Sequence, residues 1–281
     1  MAHHAEQADH ADSAHRRADH GADRNAAGLD DEPAAAEIDY VSAGSRWLYP
    51  VVKVVLAPLA RLIFWPHVIG RKNVPRTGPV ILASNHLSFI DSVAIPLCAP
   101  RRVRFLAKSS YFDGHGFRGW LSRMFFTGVG AIPVVRGAGS AAQLALDQSR
   151  RIIESGDAFT LYPEGTRSLD GRLYKGRTGA AWLALTTGAP VVPVGLKDTH
   201  EFFPVGAKFP RFHRITVHFG EPIDLSHLGS AESGKARRLA TDEIMTAIQA
   251  LSGQEPAGVY NEAPPHGAVE RVKRMLPHER R

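Results

Sequence analysis

Short apolar runs alternate with stretches of helical periodicity along most of this chain. That alternation restricts it to an α/β fold with a largely parallel sheet flanked by helices. Residues 80–83, 103–107, 131–135, 158–162, 191–194 and 215–219 read as strands. Residues 115–127, 140–154, 178–187 and 232–251 read as helices, with Gly156 and Gly188 as stops. Pro133 sends the third strand to an edge of the sheet or makes it end there. Trp120, Leu121, Met124 and Phe125 recur at helical spacing and are expected in the core, or lining an apolar channel. Open parallel sheets bind ligands beyond the carboxyl ends of their strands. His86, Lys108, Arg136 and Glu164 all follow strands, so they can converge on one edge.

The first of these runs leads into Ser84-Asn85-His86. Ser88, with Asp91 three residues later, fits a capping box in which Ser88 is the N-cap. On one continuous helix, residues five apart lie about 140° around the axis. A break between them is therefore what lets His86 and Asp91 meet. A histidine touching a carboxylate is a general base with its tautomer fixed. The alternative is a capping carboxylate beside an ordinary loop histidine, since the same spacing occurs at His4 and Asp9 in a low-complexity region. Pro163-Glu164-Gly165 forms a turn that begins at Tyr162.

Charge narrows the partners. Residues 1–40 hold ten acidic and three basic residues, net −7, and the remainder holds 31 basic and 18 acidic, net +13. So basic a body suits phosphorylated ligands, an anionic membrane surface or nucleic acid. The sequence carries no helix-turn-helix, RNP or zinc pattern, so nucleic acid is not expected. Cys98 is the only cysteine, which excludes an intrachain disulfide, and its apolar context makes it a core residue. The first thirty residues lack the apolar core of a signal peptide.

Four regions follow. Residues 1–44 form an acidic tail rich in Ala, Asp and His, expected to be disordered. Residues 45–66 form a membrane-interfacial helical segment. Its stretch 47–65 would be about 28 Å long as a helix, close to a hydrocarbon core. Lys53 and Arg61 oppose spanning, while Trp47, Tyr49 and Trp65 mark its ends as interface-seeking aromatics do. The alternative is a helix docked on the protein's own core. Residues 67–251 are the body, and residues 252–281 a basic, Pro-containing C-terminal tail.

Four motifs in order carry a resemblance: Asn85-His86-x4-Asp91; Gly130-Ala131-Ile132-Pro133-Val134-Val135-Arg136; Tyr162-Pro163-Glu164-Gly165-Thr166-Arg167-Ser168; and Val191-Val192-Pro193-Val194. Over about residues 45–225 the chain resembles the glycerolipid acyltransferases, specifically the 1-acylglycerol-3-phosphate acyltransferases. Pro133 stands where that family usually has an aromatic or aliphatic residue, and Tyr162 where Phe is common. The resemblance implies transfer of an acyl chain from acyl-CoA or an acyl-carrier protein to the free hydroxyl of lysophosphatidate, on the cytoplasmic face of a membrane; the alternatives are another lysophospholipid or a glycolipid as acceptor, or a membrane lipid-binding protein without turnover. His86 would be the base and Asp91 its partner. Arg136 and Arg167 would hold the acceptor phosphate, with Lys108 a further phosphate candidate. Glu164, Gly165 and Thr166 would belong to the acceptor site, Glu164 on a glycerol hydroxyl or orienting an Arg. Arg172, Lys175 and Arg177 would meet the phosphates of CoA or form a solvated loop. No metal or bound redox cofactor is implied, and the oligomeric state is open.

Overall fold

The computed structural model describes residues 65–134, 140–204, 207 and 209–262, together with Val54 and Pro58. The segment 1–44, nearly all of 45–66 and the end of the chain lie outside them. Among the described residues, nine strands and six helices follow one another: β1 (His67–Ile69), β2 (Val80–Ser84), α1 (Asp91–Cys98), β3 (Val103–Lys108), α2 (Gly116–Gly128), β4 (Ala131–Val134), α3 (Ser140–Glu154), β5 (Ala158–Leu161), β6 (Leu173–Lys175), α4 (Gly179–Thr187), β7 (Val191–Lys197), α5 (Thr199–Phe202), β8 (Thr216–Phe219), α6 (Gly234–Ser252) and β9 (Pro256–Tyr260).

Seven strands form the main sheet in the order β1-β8-β7-β2-β5-β3-β4. β7, β2, β5, β3 and β4 run parallel, and the pair β8 and β1 runs against them. β4 is one of the two edge strands, in keeping with Pro133. β2 lies near the middle and every one of its residues is buried, because a parallel sheet covered on both faces needs continuous apolar runs. Its side chains alternate between two cores. Ile81 and Ala83 pack with Phe159, Ile152, Ile153, Leu183, Ile244 and Ile248. Val80 and Leu82 pack with Ile95, Val192, Val194, Phe202 and Phe219 on the other face. Each such aliphatic or aromatic side chain contributes about 1.5–3 kcal/mol. Gly195 lets α6 lie directly on β7, since a Cβ there would meet the Leu251 Cβ at 2.5 Å.

Four expectations change. β7 continues three residues past the run 191–194. Trp120 and Leu121 are exposed, and in α2 Phe126 supplies the buried aromatic ring. The stretch 171–177 is not wholly a loop, and residues 252–262 are not a loose tail. β6 and β9 pair in parallel as a second, two-stranded sheet. Among the described residues, no helix is long and apolar enough to cross a membrane.

Candidate active site

The carboxyl ends of β2 and β5 place Asn85-His86 beside Tyr162-Pro163-Glu164. The chain then bends before α1 begins at Asp91, and this break brings the His86 and Asp91 side chains together. His86 Nδ1 lies 2.8 Å from Asp91 Oδ2. The same carboxylate oxygen accepts the Leu87 and Ser88 N–H groups at 2.7 and 2.8 Å. Asp91 is fully buried, and its Oδ1 has no hydrogen-bond partner.

The capping box is therefore half formed. Asp91 reaches back to Ser88 N–H, but the Ser88 hydroxyl donates to the Phe203 carbonyl instead, and Ile90 occupies the N-cap position. With the carboxylate taking the proton-bearing Nδ1, His86 keeps Nε2 as a basic lone pair. The imidazole is 14% exposed, so it is not sealed from solvent as Asp91 is. The Tyr162 ring stacks on it at 3.8 Å between centroids, and its hydroxyl is tied to Ser92 Oγ at 2.9 Å.

The His86 peptide is held from both sides. Its N–H donates to Glu164 Oε1 at 3.0 Å, and its carbonyl accepts from Ser168 N–H at 2.8 Å. Glu164 Oε2 accepts from Tyr174 N–H at 3.0 Å. Glu164 is fully buried, and both its oxygens are occupied by backbone donors. Beside its expected place on a glycerol hydroxyl or an Arg, the residue clamps the base-bearing loop. Burial pushes its carboxyl up to about 7, with the nearby Asp91 and Asp170 charges adding to the rise and the two N–H donors opposing it.

Of the remaining expected site residues, Arg167 and Gly165 are exposed on a loop at this edge, Lys108 is exposed at the carboxyl end of β3, and Thr166 is half-buried. Arg136 lies outside the described residues. Gly165 closes the turn through its N–H to the Tyr162 carbonyl at 3.0 Å, at a φ of 79°. The basic cluster is partly engaged within the chain. Arg172 pairs with Asp170 at 2.7 Å, and Arg177 donates to the Asn261 carbonyl and lies over the Tyr260 ring. Lys175 is exposed.

Sequence reasoning passed over two amides. Gln254 Oε1 accepts from Asn85 Nδ2, and Gln254 Nε2 donates to the Gly171 carbonyl, both at 2.7 Å. Asn261 Nδ2 donates to the Arg167 carbonyl at 3.1 Å. The segment after α6 thus straps the His86 loop to the Arg167 loop. Two polar residues beyond a helix end were the only signal for it. Asn85 is bound further by Leu196, through Nδ2 to its carbonyl and Oδ1 from its N–H.

A histidine held by a buried carboxylate at the carboxyl edge of a parallel sheet, beside a Pro-Glu-Gly-Thr-Arg loop, defines a class. Residues 66–197 match the family described as Acyltransferase. A chloroplastic 1-acyl-sn-glycerol-3-phosphate acyltransferase of Brassica napus is 31% identical over 56% of this chain and 46% of its own length. The human 1-acyl-sn-glycerol-3-phosphate acyltransferase beta is 29% identical over 57% of this chain and 56% of its own. A Borreliella burgdorferi enzyme with the same activity in its name is 25% identical over 66% and 72%. The chain thus spans about half the length of several curated relatives that it matches. The fold is that of the crystal structure of the 1-acyl-sn-glycerophosphate (LPA) acyltransferase from Thermotoga maritima. The TM-score is 0.55, with 22% identity over 72% of this chain and 79% of that one.

Proposed function

We propose that this chain transfers an acyl group from an acyl thioester, acyl-CoA or acyl-carrier protein, to the free hydroxyl of lysophosphatidate, making phosphatidate for phospholipid synthesis. The observation that carries the reading is the His86–Asp91 contact, which occupies Nδ1 and leaves Nε2 for the acceptor hydroxyl. The names of the relatives supply the substrate class.

In this reading His86 Nε2 takes the proton of the acceptor hydroxyl as its oxygen attacks the thioester carbonyl carbon. The buried Asp91 carboxylate stabilises the imidazolium that forms. When the C–S bond breaks, the same proton passes from Nε2 to the departing thiolate, so the histidine ends as it began. Base catalysis of this kind contributes about 10²–10⁴-fold, enough for an acyl donor that is already activated. Arg136 and Arg167 hold the acceptor phosphate through paired N–H groups, with Lys108 and Thr166 near the same edge. The stretch 47–65 lies in the interface of an anionic membrane and presents the cleft to its lipid substrate from the cytoplasmic face.

The test is a purified-protein assay pairing labelled acyl-CoA, and separately acyl-carrier protein, with a panel of lysophospholipids. The expected result is transfer to lysophosphatidate above all other acceptors. Transfer to a phosphate-free acceptor at equal kcat/KM, or no transfer to lysophosphatidate from either donor, would overturn the reading.

A further inference from the structure

Among the described residues, the most exposed large apolar side chains belong to one short stretch. Phe209 is 79% and Phe212 95% exposed. Arg211, His213 and Arg214 stand between and beside them, all exposed. Residues 202–220 contain no Asp or Glu at all. Two bare phenylalanines among cations, with no balancing acid, are costly to leave in water and have no role in the core just described.

Topology sets where they stand. Thr216, the first residue of β8, pairs with Lys197 at the carboxyl end of β7. β7 in turn pairs with β2 so that Val194 is level with Ser84, two residues before His86. The stretch before Thr216 therefore opens on the same edge of the sheet as His86. Direct bonds tie it there: Arg211 N–H donates to the Phe202 carbonyl at 2.7 Å, and the next carbonyl, of Phe203, accepts the Ser88 hydroxyl. β1 runs parallel to β8, with His67 level with Thr216, so the exposed Trp65 reaches the same corner.

We infer that residues 209–214 are a docking loop for the surface of an anionic phospholipid bilayer, with Phe209 and Phe212 entering the acyl boundary and Arg211 and Arg214 meeting lipid phosphates. The chemistry selects this partner. Phenylalanine carries no polar tip that must stay wet, guanidinium pairs with phosphate, and the combination partitions into anionic interfaces. The inference rests on the proposed function only for its purpose: a loop beside the cleft sets the mouth against the membrane that holds the acceptor.

The experiment uses the full chain. Cys98 is buried and stays native. Phe212→Cys then offers an accessible thiol for an environment-sensitive dye, and Thr77→Cys, exposed before β2 at the opposite edge, is the control. Both labelled proteins are mixed with phosphatidylcholine vesicles with and without about 30% phosphatidylglycerol. The expected result is a blue shift of the dye at position 212, but not at 77, that requires the anionic lipid. In unlabelled protein, Arg211→Glu with Arg214→Glu should weaken vesicle binding about tenfold or more. Vesicle binding with no shift at 212 would overturn the inference and leave the membrane contact elsewhere on the chain. A shift induced by nucleic acid or by a second copy of the protein, and not by vesicles, would overturn it too. Acyl transfer to a short-chain soluble acceptor, measured in parallel, judges the proposed function independently of either dye.

Discussion

Asp91→Asn isolates the charge of the buried carboxylate from its shape. Three donors converge on Asp91 Oδ2: His86 Nδ1, Leu87 N and Ser88 N. An asparagine can turn its carbonyl to all three, which preserves the histidine tautomer. Its NH₂ group then takes the place of Oδ1, which is buried without a partner. An unsatisfied buried donor costs about 1–3 kcal/mol, and each of three hydrogen bonds loses about 1 kcal/mol of charge assistance. The variant should therefore be about 4–6 kcal/mol less stable and still foldable in the cold. The rate effect has a separate origin. An imidazolium centred about 4 Å from the carboxylate, at an effective dielectric near 20, is stabilised by about 4 kcal/mol. Losing that stabilisation slows turnover roughly a thousandfold. The assay is kcat and kcat/KM for lysophosphatidate well below the melting temperature, with the fold checked by circular dichroism. A destabilised variant whose turnover stays within about tenfold of wild type would refute the argument and leave Asp91 as an organiser of the turn alone.

His86→Ala should lower turnover at least about a hundredfold, measured well below its melting temperature, and should also cost about 1.5–3 kcal/mol of stability, because it removes a hydrogen bond to the buried Asp91 carboxylate and the stack on Tyr162; near-normal turnover in the folded variant would remove it from the mechanism. Burial raises the Glu164 carboxyl from 4.5 to about 7, so the folded state binds its proton more tightly than the unfolded state. The resulting stability is full below about pH 4.5, declines as pH rises toward 7, and is gone above it. Melting curves from pH 5 to 8 should show this decline, and Glu164→Gln should flatten it while lowering stability at every pH; an equal slope in both proteins would refute the burial argument. Gly165→Ala forces a Cβ to within 3.1 Å of Arg177 Nε at a positive φ and should cost about 1–2 kcal/mol in denaturant unfolding. Asn261→Ala frees the Arg167 carbonyl and should raise KM for lysophosphatidate severalfold, with acyl-CoA KM unchanged; equal changes in both would assign the strap to general stability.

What was legible in the sequence followed from local physics. The buried strands show themselves as continuous apolar runs because both faces of a parallel sheet are covered. The meeting of His86 and Asp91 follows from the requirement that the helix start late. Other features depend on partners far along the chain. β6 and β9 are short, lack alternation, and pair across about eighty residues, so neither has a local signature. Gly195 looks like a place for β7 to stop, yet it lies inside the strand to admit α6. Helical spacing put Trp120 and Leu121 on one face of α2, but spacing does not say whether that face meets protein. Glu164 was marked as a site residue, but its hold on the His86 and Tyr174 peptides was not legible, because no side-chain pattern reveals bonds to peptide groups.

The clamp on His86 also constrains substrate length. Glu164 holds the peptide of the base, and three residues later the same loop carries Arg167. Ser168, next in the chain, closes the loop back onto the His86 carbonyl. Asn261 and Gln254 then fix the outer turns of this loop against Asn85. The distance from His86 Nε2 to the Arg167 backbone is therefore set by buried polar bonds on both sides of a short loop. On the proposed reading, that distance together with the reach of the Arg167 side chain sets the span from the acceptor hydroxyl to its phosphate. An acceptor with one extra carbon between those groups keeps the same charge and acyl chain, so it should bind with similar KM. Its hydroxyl, however, is displaced from the base by about the length of a bond, and misplacement of about 1 Å can cost about a hundredfold in rate. Such a homologue should lose kcat rather than affinity. An unchanged kcat would mean that the loop yields, and that the bonds around His86 do not set the reacting distance.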